Sequence, residues 1–147
     1  MSLLSDADRT RVKEFLSRMT APVRIDLYTQ SFDCETCDDT RRVLDELVPI
    51  DDRLSLVVYN LVLDKEAASA RGIERAPGLA LLRVEADGGL TDFGVRFYGA
   101  AVGYEFTSLL DSLVLVSNGD SGLSAESREA LAAVESPLHL QVFTTPT

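Results

Sequence analysis

The sequence has few of the residues that bind metals and little positive charge. It contains no tryptophan, one histidine and two cysteines. A zinc site needs four ligands, which two cysteines and one remote histidine do not supply. Fourteen basic residues stand against 24 acidic ones, giving a formal net charge of −10. A nucleic-acid backbone or an anionic membrane would repel such a chain, so we expect neither as a partner. Because the ligands are too few, we also expect no bound metal.

Long apolar runs are also missing. The longest lies within LLDSLVLV at residues 109–116, far below the ~20 residues of a transmembrane helix. The start, MSLLSDADRT, has no basic segment and no apolar core of the kind found in secretory signals. The sequence therefore predicts a cytoplasmic protein. Glycine-rich phosphate-binding patterns are absent as well, so no organic cofactor is expected.

Hydrophobic periodicity predicts an α/β protein. The share of hydrophobic residues, 46%, is ordinary for a soluble globular domain. Spacing typical of helices and alternation typical of strands follow one another along the chain. The predicted helices are residues 6–19, 35–48, 64–70, 104–116 and 124–134. The predicted strands are residues 23–29, 54–61, 78–84, 93–99 and 138–143.

The domain organisation is predicted from a stretch rich in glycine and serine. Residues 1–117 contain a complete α/β set, and residues 118–123 resemble a linker. Residues 124–147 repeat the opening order of helix, proline and strand. We expect them to be the first helix and strand of a truncated second unit. A lone strand with exposed apolar side chains tends to pair with the edge strand of another sheet. This predicts a homodimer through residues 138–143.

The two cysteines are the informative chemical motif. They stand three residues apart, as Cys34-Glu-Thr-Cys37, between a predicted strand and a predicted helix. A helix N-terminus stabilises a thiolate, so Cys34 is predicted to be an exposed nucleophile and Cys37 the resolving thiol. Three alternatives remain open for the pair: a zinc site, a purely structural disulfide, or two inert buried thiols.

Several longer segments carry a resemblance to a family. These are LSDADRTRVKEFLSRM, VRIDLYTQ before CETC, RGIERAPGLALLRV, DFGVRFYGAAVGYEF and LHLQVFTTPT. Together they resemble the N-terminal unit of the glutaredoxin-like protein disulfide oxidoreductases. The resemblance implies a thioredoxin-like fold, a four-stranded mixed sheet with helices on both faces. It also implies a second unit whose own cysteine pair would begin where this chain ends, at Thr147.

The resemblance assigns roles to further residues and partners. Ala76-Pro77 matches the cis-proline that lies opposite the redox pair, where the residue before the proline docks an extended partner chain. The implied activity is disulfide exchange with protein thiols and disulfides, with a flavoprotein similar to thioredoxin reductase as a further partner. GYEFTSLLDSLV is also similar to the N-terminal domain of the flavin-containing component of alkyl hydroperoxide reductase, which suggests an electron-relay or docking module. A catalytically idle half of a two-unit protein is the third hypothesis.

Acidic residues are the main departure from an activated thiol site. Asp33, Glu35, Asp38 and Asp39 flank the cysteines. Their charges oppose a thiolate about as strongly as a helix terminus favours it. We therefore expect Cys34 to titrate near the free value of about 8.5. Asp26, on a central strand, is either a proton acceptor for the resolving thiol or an edge-exposed or hydrogen-bonded acid, and the second is the favoured interpretation.

Overall fold

The computed structural model describes residues 3–145, which form an α/β fold. The strands are β1 (Val23–Thr29), β2 (Leu54–Asn60), β3 (Gly78–Val84) and β4 (Leu90–Tyr98). The helices are α1 (Asp6–Leu16), α2 (Cys37–Leu47), α3 (Lys65–Ala70), α4 (Tyr104–Asn118) and α5 (Ala125–Ala132). A short 3-10 turn, Val48–Ile50, follows α2. None of the described helices is long and apolar enough to cross a membrane.

The four strands form one mixed sheet in the order β2-β1-β3-β4. β1 and β2 are parallel, with Val23 opposite Leu54, and β3 is antiparallel to both β1 and β4. This confirms the predicted mixed sheet and its parallel pair. Because of these directions, four loops meet at one end of the sheet, which we call the site end. The site-end loops are residues 30–36, 61–64, 71–77 and 99–103.

The two faces of the sheet are covered unequally. Val23, Ile25 and Leu27 of β1 alternate onto one face, where they pack in a core with apolar residues of α1, α2 and α4. The opposite face packs mainly against the six-residue α3, through a small cluster that includes Tyr28 and Ala80. Helices therefore lie on both faces, as predicted, but most of the apolar burial is on one of them.

Helix α1 begins at the predicted residue, Asp6, and ends three residues before the predicted end. Ser5 and Asp8 form a reciprocal capping box at its N-terminus. The helix stops at Leu16, and Met19 is buried in the following turn rather than in the predicted last turn of helix. The buried Ser117 hydroxyl of α4 accepts hydrogen bonds from the backbone N–H groups of Thr20 and Ala21, both at 2.9 Å. These bonds hold the entry to β1 against α4.

A buried carboxylate lies on the less covered face. Asp26 is 1% exposed, and its Oδ2 accepts a hydrogen bond from Arg24 Nη2 at 2.9 Å. Arg24 Nε is 2.8 Å from Oδ1 but is not aligned for a hydrogen bond. Arg71 Nε is 4.0 Å from Oδ2. Asp26 is thus a paired acid of the sheet, which agrees with the favoured interpretation from the sequence.

A second acid on this face, Asp92, carries a testable pH dependence. The Arg96 guanidinium, 2.7 Å away, and then the Gly94 N–H lower the pKa of Asp92 to about 2, against an opposing effect of burial. A carboxyl with a lowered folded pKa stabilises the fold above its unfolded pKa, and this contribution is lost as the pH falls through the folded pKa.

We expect the free energy of unfolding of the Asp92→Asn variant to be about 1 to 2 kcal/mol lower than that of the parent at pH 6. The difference should shrink towards zero between pH 4 and pH 2, as measured by urea unfolding at each pH. Asp87→Asn, in the exposed hairpin turn, is the control. A difference that stays constant across this range would contradict the assignment.

The C-terminal residues correct one prediction. Helix α5 forms within the predicted span of 124–134, but residues 138–145 form neither helix nor strand, so the strand predicted at 138–143 does not form within the described chain. An isolated strand leaves its backbone N–H and C=O groups unpaired, and no other strand of the described chain pairs with this segment. Its side chains are exposed, with Phe143 at 88%. The predicted second unit extends to residue 147, and its last two residues, 146 and 147, lie outside the described residues.

Candidate functional site

Cys34 and Cys37 form a disulfide at the site end of the sheet. Their Cα atoms are 5.5 Å apart. Cys37 is the first residue of α2 and is 3% exposed, whereas Cys34 lies in the preceding loop and is half-buried. The prediction that Cys34 is the more exposed of the two is confirmed. The bond thus joins a half-buried cysteine in the loop to a buried cysteine at the N-terminus of α2.

Helix α2 begins two residues later than predicted because the loop before it is held in a turn. Gln30 Nε2 donates to the carbonyl oxygens of Phe32 and Asp33, at 2.8 and 3.3 Å. Asp33 has a φ of 54°, a left-handed conformation that is uncommon outside glycine. The side-chain amide of Gln30 therefore fixes the turn from which Cys34 emerges.

Thr40 connects helix α2 to the neighbouring loops. Its side chain is fully buried, and its hydroxyl lies 2.9 Å from the Thr36 carbonyl oxygen and 3.3 Å from that of Gly99. The Gly99 N–H in turn donates to the Pro77 carbonyl oxygen at 3.1 Å. A short chain of hydrogen bonds thus runs from the first turn of α2 to the loop that precedes β3.

The 71–77 loop, which contains Ala76 and Pro77, is anchored to β4. The Ala76-Pro77 peptide bond is cis, Pro77 is buried and Ala76 is half-buried. Arg96 Nε donates to the Arg71 carbonyl oxygen at 2.9 Å, and the Arg75 guanidinium lies 4.7 Å from the centroid of the Tyr98 ring. These contacts fix both ends of the loop.

Glycine is required at the start of β3 by the close approach of this loop. A Cβ atom on Gly78 would lie 2.8 Å from Ile73 Cγ2 and 2.9 Å from the Arg75 carbonyl oxygen. Neither atom is the free end of a flexible side chain, so a larger residue at position 78 would displace the loop. The backbone next to Pro77 is thereby held close to the sheet.

Negative charge surrounds the disulfide. Asp33, Glu35, Asp38 and Asp39 are all exposed. Asp39 is 4.0 Å from Arg42, whereas the other three make no ion pair within residues 3–145. Arg41 pairs instead with Asp45, one turn further along α2, at 2.8 Å. The field at Cys34 is therefore that of several carboxylates with little local compensation.

The structure brings together the sequence-predicted site residues through groups that the sequence did not single out. Cys34 and Cys37 are bonded directly, and hydrogen bonds through Thr40 and Gly99 link the helix that begins at Cys37 to Pro77. Thr40 and Gly99 were missed because their contact spans 59 residues of chain, for which one sequence carries no signal. No cluster of three or more histidine, cysteine or acidic side chains placed to hold a metal ion occurs among the described residues.

Comparisons with known proteins agree with this architecture. No protein-family model matches the chain. The F component of alkyl hydroperoxide reductase (AhpF) from Pseudomonas putida is 30% identical over 139 residues, which is 92% of this chain and 22% of that protein. This chain therefore spans about one fifth of the length of that curated relative.

Two solved structures match over 88% of this chain, each with a TM-score of 0.74. One is AhpF of Enterococcus faecalis, at 22% identity and 60% of its length. The other is a protein disulfide oxidoreductase of Aeropyrum pernix, at 28% identity and 54% of its length. The chain has a thioredoxin-like fold with a disulfide-bonded cysteine pair, and it resembles protein disulfide oxidoreductases and AhpF.

Proposed function

We propose that this chain is a thiol–disulfide oxidoreductase unit that exchanges disulfides with protein partners through Cys34 and Cys37. One observation carries the proposal: the half-exposed Cys34 is disulfide-bonded to a buried cysteine at the N-terminus of α2. A structural disulfide closing so short a loop restricts the unfolded chain only a little, so stability alone gives the pair little reason to exist. The similarity to a protein disulfide oxidoreductase supports the same function.

The exchange proceeds through a mixed disulfide. In the dithiol form, the Cys34 thiolate attacks one sulfur of a partner disulfide and expels the other partner sulfur as a thiolate. Cys37, once deprotonated, then attacks Cys34 Sγ, which releases the second partner thiolate and reforms the bond seen in the structure. Two electrons pass from the chain to the partner, and a dithiol donor returns the chain to its starting state.

Partner docking is assigned to Ala76 and Pro77. The resemblance implies that the backbone of the residue before the proline pairs with an extended partner chain. Ala76 is half-buried at the site end of the sheet, and Pro77 is tied through Gly99 to the helix that carries Cys37. Such backbone pairing positions a partner sulfur without reading the partner's sequence.

The test is insulin reduction with dithiothreitol as electron donor. We expect the parent chain to shorten the lag before insulin B chains precipitate, and Cys34→Ser to return the lag to that of dithiothreitol alone. The serine oxygen is too weak a nucleophile to open a disulfide at neutral pH. Thr36→Ser, a conservative change in the same turn, is the control. A parent chain with no effect on the lag would overturn the proposal and favour an idle unit.

An electron-relay or docking module is the second candidate, favoured by the 30% identity to AhpF of Pseudomonas putida. In this version the electron donor is a flavoprotein similar to thioredoxin reductase. Location in the cytoplasm is part of the proposal, because a reducing compartment maintains the dithiol form. Reduction of the Cys34–Cys37 bond by such a flavoprotein, without insulin reduction, would select this candidate.

We also propose a homodimer through residues 138–143. Leu140, Val142 and Phe143 are each more than four-fifths exposed, and both β2 and β4 have an unpaired edge. An edge strand of a second copy would satisfy the backbone groups and cover these side chains. Light scattering should give a dimer for the 147-residue chain and a monomer for a chain truncated after Ser121. Equal masses for the two would contradict this prediction.

A further inference from the structure

We propose that the acidic rim of the site selects partner disulfides flanked by lysine or arginine over those flanked by acids. The rim is defined as Asp33, Glu35, Asp38 and Asp39, the four carboxylates around Cys34. The inference rests on the proposed function and adds to it the chemical class of the partner. It does not follow from the exchange chemistry itself, which involves only the attacking sulfur and the two sulfurs of the partner disulfide.

The rim lies within reach of any partner that touches Cys34. All four acids stand within five residues of the half-buried Cys34, on a short turn and the first turn of α2. The turn is held by Gln30 and the helix turn by Thr40, so the carboxylates stand on fixed backbone. A partner whose disulfide is being exchanged must bring its flanking residues next to these charges.

Charges elsewhere at the site end do not cancel the rim. The other three loops and the helix starts that follow them present exposed acids and bases in unequal number. The acids are Asp64, Glu66, Glu74 and Glu105, and the bases are Lys65 and Arg75. The Arg75 guanidinium is stacked on the Tyr98 ring, and Arg71 is paired with Asp92 at 3.2 Å. The surface that meets a partner is therefore net negative.

Exposed apolar side chains supply contact area beside the rim. Phe32, two residues before Cys34, is 84% exposed, and Leu63 in the neighbouring loop is 81% exposed. Apolar contact holds a protein segment of any charge, so these side chains give affinity without charge preference. Discrimination between partners then falls to the carboxylates, through long-range attraction or repulsion during approach.

The experiment compares three disulfide-linked pentapeptide dimers: GKCKG, GQCQG and GECEG. The reduced chain is prepared with dithiothreitol, desalted, and mixed with each dimer at low ionic strength, and single-turnover rates are recorded. Each rate is divided by the rate of the same dimer with dithiothreitol, which removes differences in leaving-group pKa. Four carboxylates at close range predict roughly a tenfold rate difference between adjacent members of the series, in the order lysine, glutamine, glutamate.

Two variants and added salt test whether the preference between peptides comes from the rim carboxylates. D33N/E35Q/D38N/D39N should bring the three normalised rates together, as should 0.5 M salt with the parent chain. D52N/E126Q/E129Q/E135Q changes the net charge equally but alters no site-end loop, and should keep the preference. Equal normalised rates with the parent chain at low salt, or a preference that survives loss of the rim, would overturn the inference. Failure to reduce even GQCQG would instead overturn the proposed function.

Discussion

Replacing Cys37 by serine is expected to stop turnover and to accumulate a covalent complex between Cys34 and its partner. Without the buried thiol, the mixed disulfide on Cys34 has no resolving group and persists until an external thiol cleaves it. Non-reducing electrophoresis of Cys37→Ser after incubation with insulin should show a band at the summed mass. The complex is trapped without dithiothreitol; in the insulin assay dithiothreitol must cleave each mixed disulfide in place of Cys37, so we expect the rate to fall close to that of dithiothreitol alone.

The complex has two matched controls. Cys34→Ser retains the 3%-exposed Cys37 thiol, which a protein partner reaches poorly, so we expect little or no complex. The double variant should give none. A complex that forms as readily through Cys37 as through Cys34 would reverse the assigned roles, even if the parent chain proved active.

The Asp26→Ala variant is expected to lose about 3 kcal/mol of unfolding free energy, since removal of one member of a buried ion pair leaves the other without its counter-charge. Arg24 retains 25% side-chain exposure and can recover some hydration, which places the loss at the lower end for such pairs. Urea unfolding at pH 7 measures it. Asp52→Ala, an exposed acid before β2, should change stability by about 0.5 kcal/mol or less.

Tyr28 gives the same variant a second readout. Burial, and then the negative charge of Asp26, raise the pKa of Tyr28 to about 12. Removing Asp26 should therefore lower the pKa of Tyr28, which ultraviolet absorbance follows in the alkaline range. A stability loss of about 3 kcal/mol without this change would mean that the cavity, rather than the charge, dominates the effect. The Asp26→Asn variant, close in volume, separates the two causes.

Local patterns predicted the elements of the fold well. The strand predicted at residues 23–29 matches β1 residue for residue, and α1 begins at the predicted residue, Asp6. Such features depend on neighbours in sequence, so one sequence contains them. The helix boundaries that differ from the predicted ones depend on tertiary contacts. α2 starts at Cys37 because Gln30 and the disulfide hold the preceding turn.

The candidate site likewise has features that the local sequence predicted and features that only the structure reveals. The spacing of the two cysteines and their place between a strand and a helix predicted both the bond and the order of exposure. The importance of Ala76 and Pro77 came from resemblance, because nothing in the composition of that loop points to a partner. Thr40, Gly99 and the anchoring of Arg71 by Arg96 required coordinates, since each contact joins segments far apart in sequence.

The meeting of four loops at one end of the sheet also has a consequence for protein synthesis. The cysteine pair lies near residue 34, whereas Pro77 and Gly99 emerge from the ribosome 43 and 65 residues later than Cys34. An unfinished chain that ends before Pro77 therefore carries both thiols but lacks the Ala76-Pro77 backbone that is proposed to align a partner. If Ala76 and Pro77 align the partner as proposed, selective disulfide exchange requires that β3 and β4 have joined the sheet.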